Sequence, residues 1–580
     1  MLRRVLTGAL LLGIAAGIAA PAHASSQVLM PGVTYSRQVQ FTAHGPVVIH
    51  VLTAPKPGGL YSLRPILSNG ALVGRERVTS MQKDISDSAT VAGVNGDFFN
   101  WKDGHPTGIL MQNSVLQSPP YRTRSSIGVA AATGKLTVGR VAFYGYWQGL
   151  GQRRPLTGLN QLPRGDGTSL FTPVWGARTP ALPGAQEAVI EPFPPAAVGK
   201  DLTGTVVTQT AGGGTPIPRD GAVLFAHGSQ APKLVSEAPP PTRVALHLVL
   251  RPDWTAAGIT DALGGGPVIV RNGRAVYTAG EDFLPSQMAP RDPRTGVGQR
   301  RDGKIVMVVV DGRQPGYSVG LTNFELAQTL VRFGAVTGSA LDSGGSSTLA
   351  FDGKLLNRPS DPTGERAVAE TLAVMYTGVY APQPALTVIS PNGDGVDERQ
   401  SLAFKLVRPS NVTASIIEPD GTSAYSQVGA RLPGIYRVTW PGPTAKGRAQ
   451  ALGRWRWVVT ATDDLGRSSS VERAFWVNDT LGFLRVAPKA VRLRARRANA
   501  IVARFQVAHT ARVIGSIWTR SGVLVRRLRP VTLKQGRRAL RWNGRYANGR
   551  LAYRGRYVFK VFAQNAFGPE QLAQAFLVLR

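Results

Sequence analysis

The chain has 580 residues, 67 Gly, 42 Pro, no Cys and a formal net charge of +33. That length points to several domains, and an apolar fraction of 43% can supply them with cores. Without Cys there is no disulfide, thiolate metal site or cysteine nucleophile. The seven His stand at no metal-ligand spacing, which argues against a His-based metallohydrolase or a His-assisted serine triad.

The N-terminus, MLRRVLTGALLLGIAAGIAAPAHA, joins basic Arg3 and Arg4 to an apolar run from Val5 to Ala20 and an Ala22-His23-Ala24 cleavage pattern. Residues 1–24 are expected to be a secretory signal peptide. The mature protein is then exported, secreted or cell-wall associated, with no transmembrane segment left after cleavage. A catalytic domain is expected over 25–380. Short apolar runs such as 45-GPVVIHVLTA-54 read as strands. In 89-ATVAGVNGDFFN-100 a β-leaning run meets Asn95-Gly96-Asp97, which sets a carboxylate at a strand end. Residues 144–240, rich in Gly, Pro, Thr and Ala, read as strands and loops.

The segment 303–347 has the clearest pattern. Lys304 to Val310 is a buried strand ending at Asp311-Gly312-Arg313. Thr322 to Phe333 reads as a helix, with Thr322 and Glu325 as a capping box and Gly334 as its stop. Val336 to Leu341 is the next strand and ends at Asp342. If the two strands are parallel and share a sheet, Asp311 and Asp342 emerge at its carboxyl end, where open α/β sheets bind ligands. Carboxylates meeting there, with Arg294 and Arg313, can supply acid and base catalysis and an anion clamp. The glycines of 342-DSGGSST-348 let N–H groups approach a phosphate. Asp352-Gly353 reads as a hairpin turn. No Walker loop is present.

A Pro-bearing linker at 381–385 leads into an internal repeat. One copy has 436-YRVTW-440 and 453-GRWRW-457; the other has 538-RALRW-542 and 555-GRYVF-559. The expected fold is an α+β catalytic domain, a mixed sheet with a strand–helix–strand unit, followed by two all-β immunoglobulin-like sandwiches at 385–480 and 485–580. Asn392, Asp394, Asp397 and Glu398 offer oxygen ligands for a calcium ion at Asp394 and Asp397, or form an Asx-rich turn. Residues 481–580 hold 22 Lys or Arg against one acid, Glu570. Such a field attracts polyanions, and in an exported protein an anionic wall polymer is expected ahead of nucleic acid.

Two resemblances follow from these residues. The first copy of the repeat, through 389-ISPNGDGVDE-398 and 462-TDDLG-466, resembles the Ig-like domain of the flagellar hook-capping FlgD family. Residues from about 85 to 378 resemble the phosphodiester glycosidase family, often called exopolysaccharide biosynthesis proteins in bacteria. The matching motifs include 95-NGDFFN-100, 264-GGGPVIVRNGR-274, 292-DPRTGVG-298, 311-DGRQPGYSVGLTNFELAQTL-330, 342-DSGGSSTLAFDGKLLNRPSD-361 and 365-ERAVAETLAV-374. The resemblance implies hydrolysis of a sugar-1-phosphate diester. It implies Asp342, Asp311, Asp97 and Glu325 as catalytic candidates. Asn95, Arg294, Thr295, Arg313, Ser346, Ser347 and Arg358 are the implied substrate-binding residues. Ser343 stands where the family usually has Gly. The alternative is a non-catalytic exported protein that binds anionic wall polymers or polysaccharide.

Overall fold

The computed structural model describes residues 25–121, 123–163, 165–276, 280–442, 451–494 and 500–579. The expected signal segment 1–24 lies outside the described residues, as does 443–450 within the first repeat. Strand dominates. Helix among the described residues is one ten-residue segment, Asn323–Arg332, and three shorter α pieces. The α+β expectation therefore overstated helix. The physical reason is that sheets cover sheets here, so few helices are needed to close the core.

An eight-stranded sheet runs through the first part of the chain. At its centre are Gly45–Ala54, Ile305–Val310, Arg294–Arg300 and Ala335–Ala340, adjacent in that order. Ile305–Val310 is apolar throughout and fully buried, as its unbroken β-branched run requires. Arg294–Arg300 pairs antiparallel with both of its neighbours, with Arg294 opposite Val310 and Gly296 opposite Ala340. The Ile305–Val310 and Ala335–Ala340 strands are therefore parallel with one strand between them. Asp311 and Asp342 leave the same end of the sheet, and Arg294 enters there. The Asn323–Arg332 helix links the two, capped by Thr322, whose hydroxyl accepts from the Glu325 N–H at 3.2 Å. Its Leu326 and Leu330 pack over Gly296, where no side chain intervenes.

A five-stranded antiparallel sheet packs against this one. Its middle strands are Leu349–Phe351, Thr90–Asn95 and Glu370–Tyr376. One apolar core joins the two sheets, with Leu52, Val297, Met307 and Val309 from the first and Ala92, Val94, Leu349, Leu372 and Val374 from the second. The Asp352-Gly353 turn closes the Leu349–Phe351 hairpin with φ of +47° and +73°, the geometry of a two-residue I′ connection. Residues 142–251 build a further eight-stranded sheet over its own core, which includes Trp147, Leu224 and Trp254.

The sequence repeat is a structural repeat. In each copy a short first strand pairs parallel with the last: Val388–Ile389 with Ser468–Val477, and Ala490–Arg492 with Gly568–Leu579. Trp440 and Trp542 end equivalent strands and are buried in equivalent cores, beside Phe475 and Phe576. The first copy rests on the earlier sheets through Lys405, which donates to Ser86 Oγ at 2.9 Å and to the Ala89 carbonyl at 3.2 Å. No helix among the described residues is long and apolar enough to cross a membrane.

Gly93 tests the strand packing. A Cβ there would lie 2.6 Å from the Leu372 carbonyl oxygen and 2.9 Å from Ala373 Cα, both backbone atoms that cannot give way. Gly93→Val should lower unfolding stability by about 1–3 kcal/mol, read by thermal or chemical denaturation.

Candidate active site

The two sheets meet at their strand ends, and Asn95 ties them. Its Oδ1 accepts from Thr295 Oγ1 at 2.8 Å and from the Thr348 N–H at 3.1 Å, and its Nδ2 donates to the Asp342 carbonyl at 2.8 Å. The Asp342 N–H donates in turn to the Gly96 carbonyl at 3.2 Å. Asn95 and Thr295 are thus occupied in holding Asp342 beside the end of the Thr90–Asn95 strand. They position the site and have little left to offer a ligand.

Asp97 follows that strand end and is buried. Among the described residues neither carboxylate oxygen has a hydrogen bond of good geometry, although the Phe98 and Gly108 amides lie close enough to favour its charged form. Gly108 and Gly264 form the wall beside it: a Cβ on Gly108 would lie 2.5 Å from Asp97 Oδ2, and one on Gly264 would collide with the same oxygen. Burial raises the Asp97 pKa to about 7, helped by the nearby Asp342 charge and opposed by the Phe98 amide and Arg124. Asp342 is partly exposed, and desolvation by its packed surroundings raises it to about 6. The Ser346 hydroxyl, the Ser343 N–H at 2.8 Å, Arg366 and Arg124 pull the other way.

A third carboxylate completes the group. Glu370 starts the strand beside Thr90–Asn95, is fully buried, and accepts from the Asp97 N–H at 3.2 Å. Burial and the Asp97 charge push its pKa well up. Sequence reasoning quoted its motif and did not select it, since a lone Glu at a strand start carries no signal of its own. Arg366 and Arg124 were missed too. Arg366 grips Asp361 in two bonds of 2.8 and 2.9 Å, reaches Ser346 Oγ at 3.4 Å, and lies 5.1 Å over the exposed Trp101 ring. Arg124 is held among Phe98, Tyr121 and Phe283, with its guanidinium 4.6–5.0 Å from their ring centres.

The loop after Asp342 fits between two arginines. Gly344 has φ +67°, and a Cβ there would lie 3.2 Å from both terminal nitrogens of Arg313. A Cβ on Gly345 would collide with Arg366 and Asp361. Arg313 is half-exposed, with Nε donating to Asp292 at 2.8 Å and its far edge turned toward this loop. Ser343 needs no glycine, because its φ is −129°. Ser346, Ser347 and Thr348 are buried in the same loop, and the Ser347 and Thr348 hydroxyls lack partners.

Other candidates have different work. Asp311 is buried and its carboxylate is saturated: His50 Nε2 donates at 2.9 Å, Tyr317 Oη at 3.0 Å, Asn357 Nδ2 at 3.1 Å and the Arg358 N–H at 3.0 Å. His50 also meets Tyr35 Oη at 2.8 Å, a partnership that spacing along the chain could not show. Asp311 is thus a buried hub with no free oxygen for acid–base work. Arg358 stacks at 4.8 Å over Tyr317 beside that hub. Arg294 is equally committed, donating to the Leu321, Gln287 and Pro290 carbonyls at 3.0, 2.9 and 2.7 Å. Burial lowers its pKa to about 10. Its side chain staples loops. Glu325 caps its helix at Thr322 and pairs with Arg291, so both of its carboxylate oxygens are engaged. Asp394 does not gather a calcium site with Asp397, because its oxygens accept from the Val396 and Phe483 N–H groups at 2.9 and 2.7 Å. No cluster of metal-ligating side chains forms among the described residues.

Paired carboxylates with raised pKa values beside arginines suit acid–base chemistry of the kind glycosidases use. Residues 195–375 match the model of the family described as phosphodiester glycosidase, so the chain carries that domain. Asn95, Asp97 and Arg124 precede the matched stretch and join the site through the fold. Over 86 residues, 15% of this chain, it is 41% identical to the SPbeta prophage-derived uncharacterized protein YomE of Bacillus subtilis (strain 168). Over 68 residues, 12% of this chain, it is 38% identical to the N-acetylglucosamine-1-phosphodiester alpha-N-acetylglucosaminidase of Bos taurus. The matched stretches span 13% and 12% of those two proteins. A crystal structure of a hypothetical protein from Synechocystis superposes with a TM-score of 0.52 at 26% identity, covering 62% of this chain and 64% of that one.

Two tests address these roles. Arg294→Met removes the donor to three carbonyls, so it should lower stability by roughly 2–4 kcal/mol in denaturation. A phosphate clamp would instead raise KM and leave stability unchanged. Asp97 has a raised pKa in the fold, so the folded state holds the proton more tightly. The stability this contributes is present below pH 4 and is lost as pH rises through about 7. The thermal midpoint of Asp97→Asn should therefore fall less steeply than wild type between pH 4 and 7.

Proposed function

We propose that the chain is an exported hydrolase that cleaves a sugar-1-phosphate phosphodiester on its glycosidic side, in a cell-surface or exopolysaccharide-type glycan. The observation that carries this reading is the group Asp97, Asp342 and Glu370, in which desolvation raises every carboxyl, Asp97 to about 7 and Asp342 to about 6. One carboxyl of the group then carries a proton for the leaving phosphate oxygen while another is ionised to attack the anomeric carbon or to activate water. The C1–O bond breaks, a water hydroxyl ends on C1, and the proton ends on the phosphate or its buffer. Arg313 and Arg366, on either side of the Gly344-Gly345 turn, neutralise the departing phosphate. Exposed Trp101, beside Arg366, offers an apolar face for the sugar ring.

Export is supported by the basic, apolar and small-residue pattern of residues 1–24. The two C-terminal repeats are read as immunoglobulin-like modules that keep the enzyme on an anionic wall or glycan surface. The core of the proposal is tested with Asp342→Asn. Release of free sugar from a synthetic sugar-1-phosphodiester should fall by about 10²–10⁴-fold in a folded variant. Wild-type rates from that variant would reject the role of Asp342.

A further inference from the structure

Part of the excess positive charge of residues 481–580 is gathered on one sheet face. Its one acid, Glu570, is buried, accepting from Ser390 Oγ at 2.7 Å and the Leu481 N–H at 2.6 Å, so it neutralises none of the surface. The three-stranded sheet of this copy consists of Leu481–Ala487, Ile501–Val507 and Gly536–Trp542. Its inner positions Ile501, Ala503, Phe505 and Val507 fill the core. The register fixes what faces outward: Arg485 lies opposite Arg504, Arg504 opposite Ala539, Val502 opposite Arg541, and Gln506 opposite Arg537.

Arg485, Arg504, Arg537 and Arg541 are exposed on this one face. Neighbouring strands lie about 4.8 Å apart and alternate residues about 6.8 Å apart, so Arg537 and Arg541 flank Arg504 at roughly 8 Å. Like charges directly opposite on a sheet are destabilising. None of the four forms an ion pair among the described residues. The equivalent face of the first copy is different: Ser401 faces Thr439, Ala403 faces Arg437, and Lys405 is spent on Ser86 and Ala89. The repeat architecture therefore does not require the arginines. They belong to the second copy alone.

We propose that this face docks a linear phosphodiester-linked glycan, with successive phosphates over Arg485, Arg504, Arg537 and Arg541. Guanidinium groups bind phosphate in two-bond fashion, and a lattice of them several ångströms apart suits a polymer whose charges repeat. Val502, Gln506 and Ala539 lie between the arginines and present no ring for a nucleobase to stack on. The choice of polymer rests on the function proposed above. The arginine lattice does not.

The test uses the full chain with all four arginines changed to Gln. The probe is a purified polymer of phosphodiester-linked sugar or glycerol units, immobilised on a biosensor at physiological salt. Binding should weaken at least about tenfold, and its salt dependence should become shallower as fewer counterions are released. A four-fold Arg→Lys variant should recover part of the affinity. Should the Gln variant misfold, the single Arg504→Glu, at the centre of the lattice, should still weaken binding several-fold. Unchanged binding by a folded variant overturns the proposal, as does tighter wild-type binding to single-stranded DNA of equal charge. Sugar release from a small soluble phosphodiester by wild-type protein is measured separately. Its absence, with arginine-dependent polymer binding intact, would defeat the catalytic reading and leave this one standing.

Discussion

The hydrogen bonds of Asn95 are the constraint on which the site depends. A single buried amide joins Thr295 from one sheet, Thr348 from the other, and the Asp342 carbonyl between them. Each bond is short, and each partner is buried or part of a packed loop, so leaving one unmade would strand a polar group away from water. That cost fixes the two sheet ends relative to each other. Asp97 and Asp342 then have no freedom to separate, although they stand 245 positions apart in the chain.

Bringing the carboxylates together under low solvation has an electrostatic consequence. Glu370 lies behind Asp97, whose charge makes Glu370 harder to ionise, and the Asp342 charge does the same to Asp97. Glycine keeps the space: Gly108 and Gly264 leave room for the Asp97 carboxylate and nothing more. Arg124 and Arg366 moderate the field from the solvent side without forming a direct ion pair with Asp97. A stability-optimised fold would fill or pair such groups. Three acids with raised pKa values in one place suit the proton transfers proposed for this site.

Parts of this were legible along the chain. The apolar run before Asp311, the Thr322–Glu325 box and the strand before Asp342 each have a local cause, so they could be read locally. The glycine-rich turn was legible for the same reason, since Gly344 meets a positive φ. Roles were harder than elements. Asp311 and Asp342 share the same setting at a strand end, yet one is saturated by four donors and the other lines the open side of the site. The donors come from residue 50 and from 317–358, a grouping that no spacing rule contains. Arg294 and Arg313 diverged likewise, because backbone carbonyls captured the first and Asp292 holds the second.

Sequence alone determined the strand-rich build, the strand–helix–strand unit, the repeat with its paired tryptophans, and the concentration of charge in the last hundred residues. These follow from periodicity, turn chemistry and composition, which act over a few neighbours at a time. Tertiary structure decided which carboxylates share a solvent-poor site, which arginines keep a free edge, and that four arginines of the second repeat line up on one sheet face. Those outcomes depend on desolvation and on cross-strand register. Both are set by residues far apart in the chain, and neither exists until the sheets have packed.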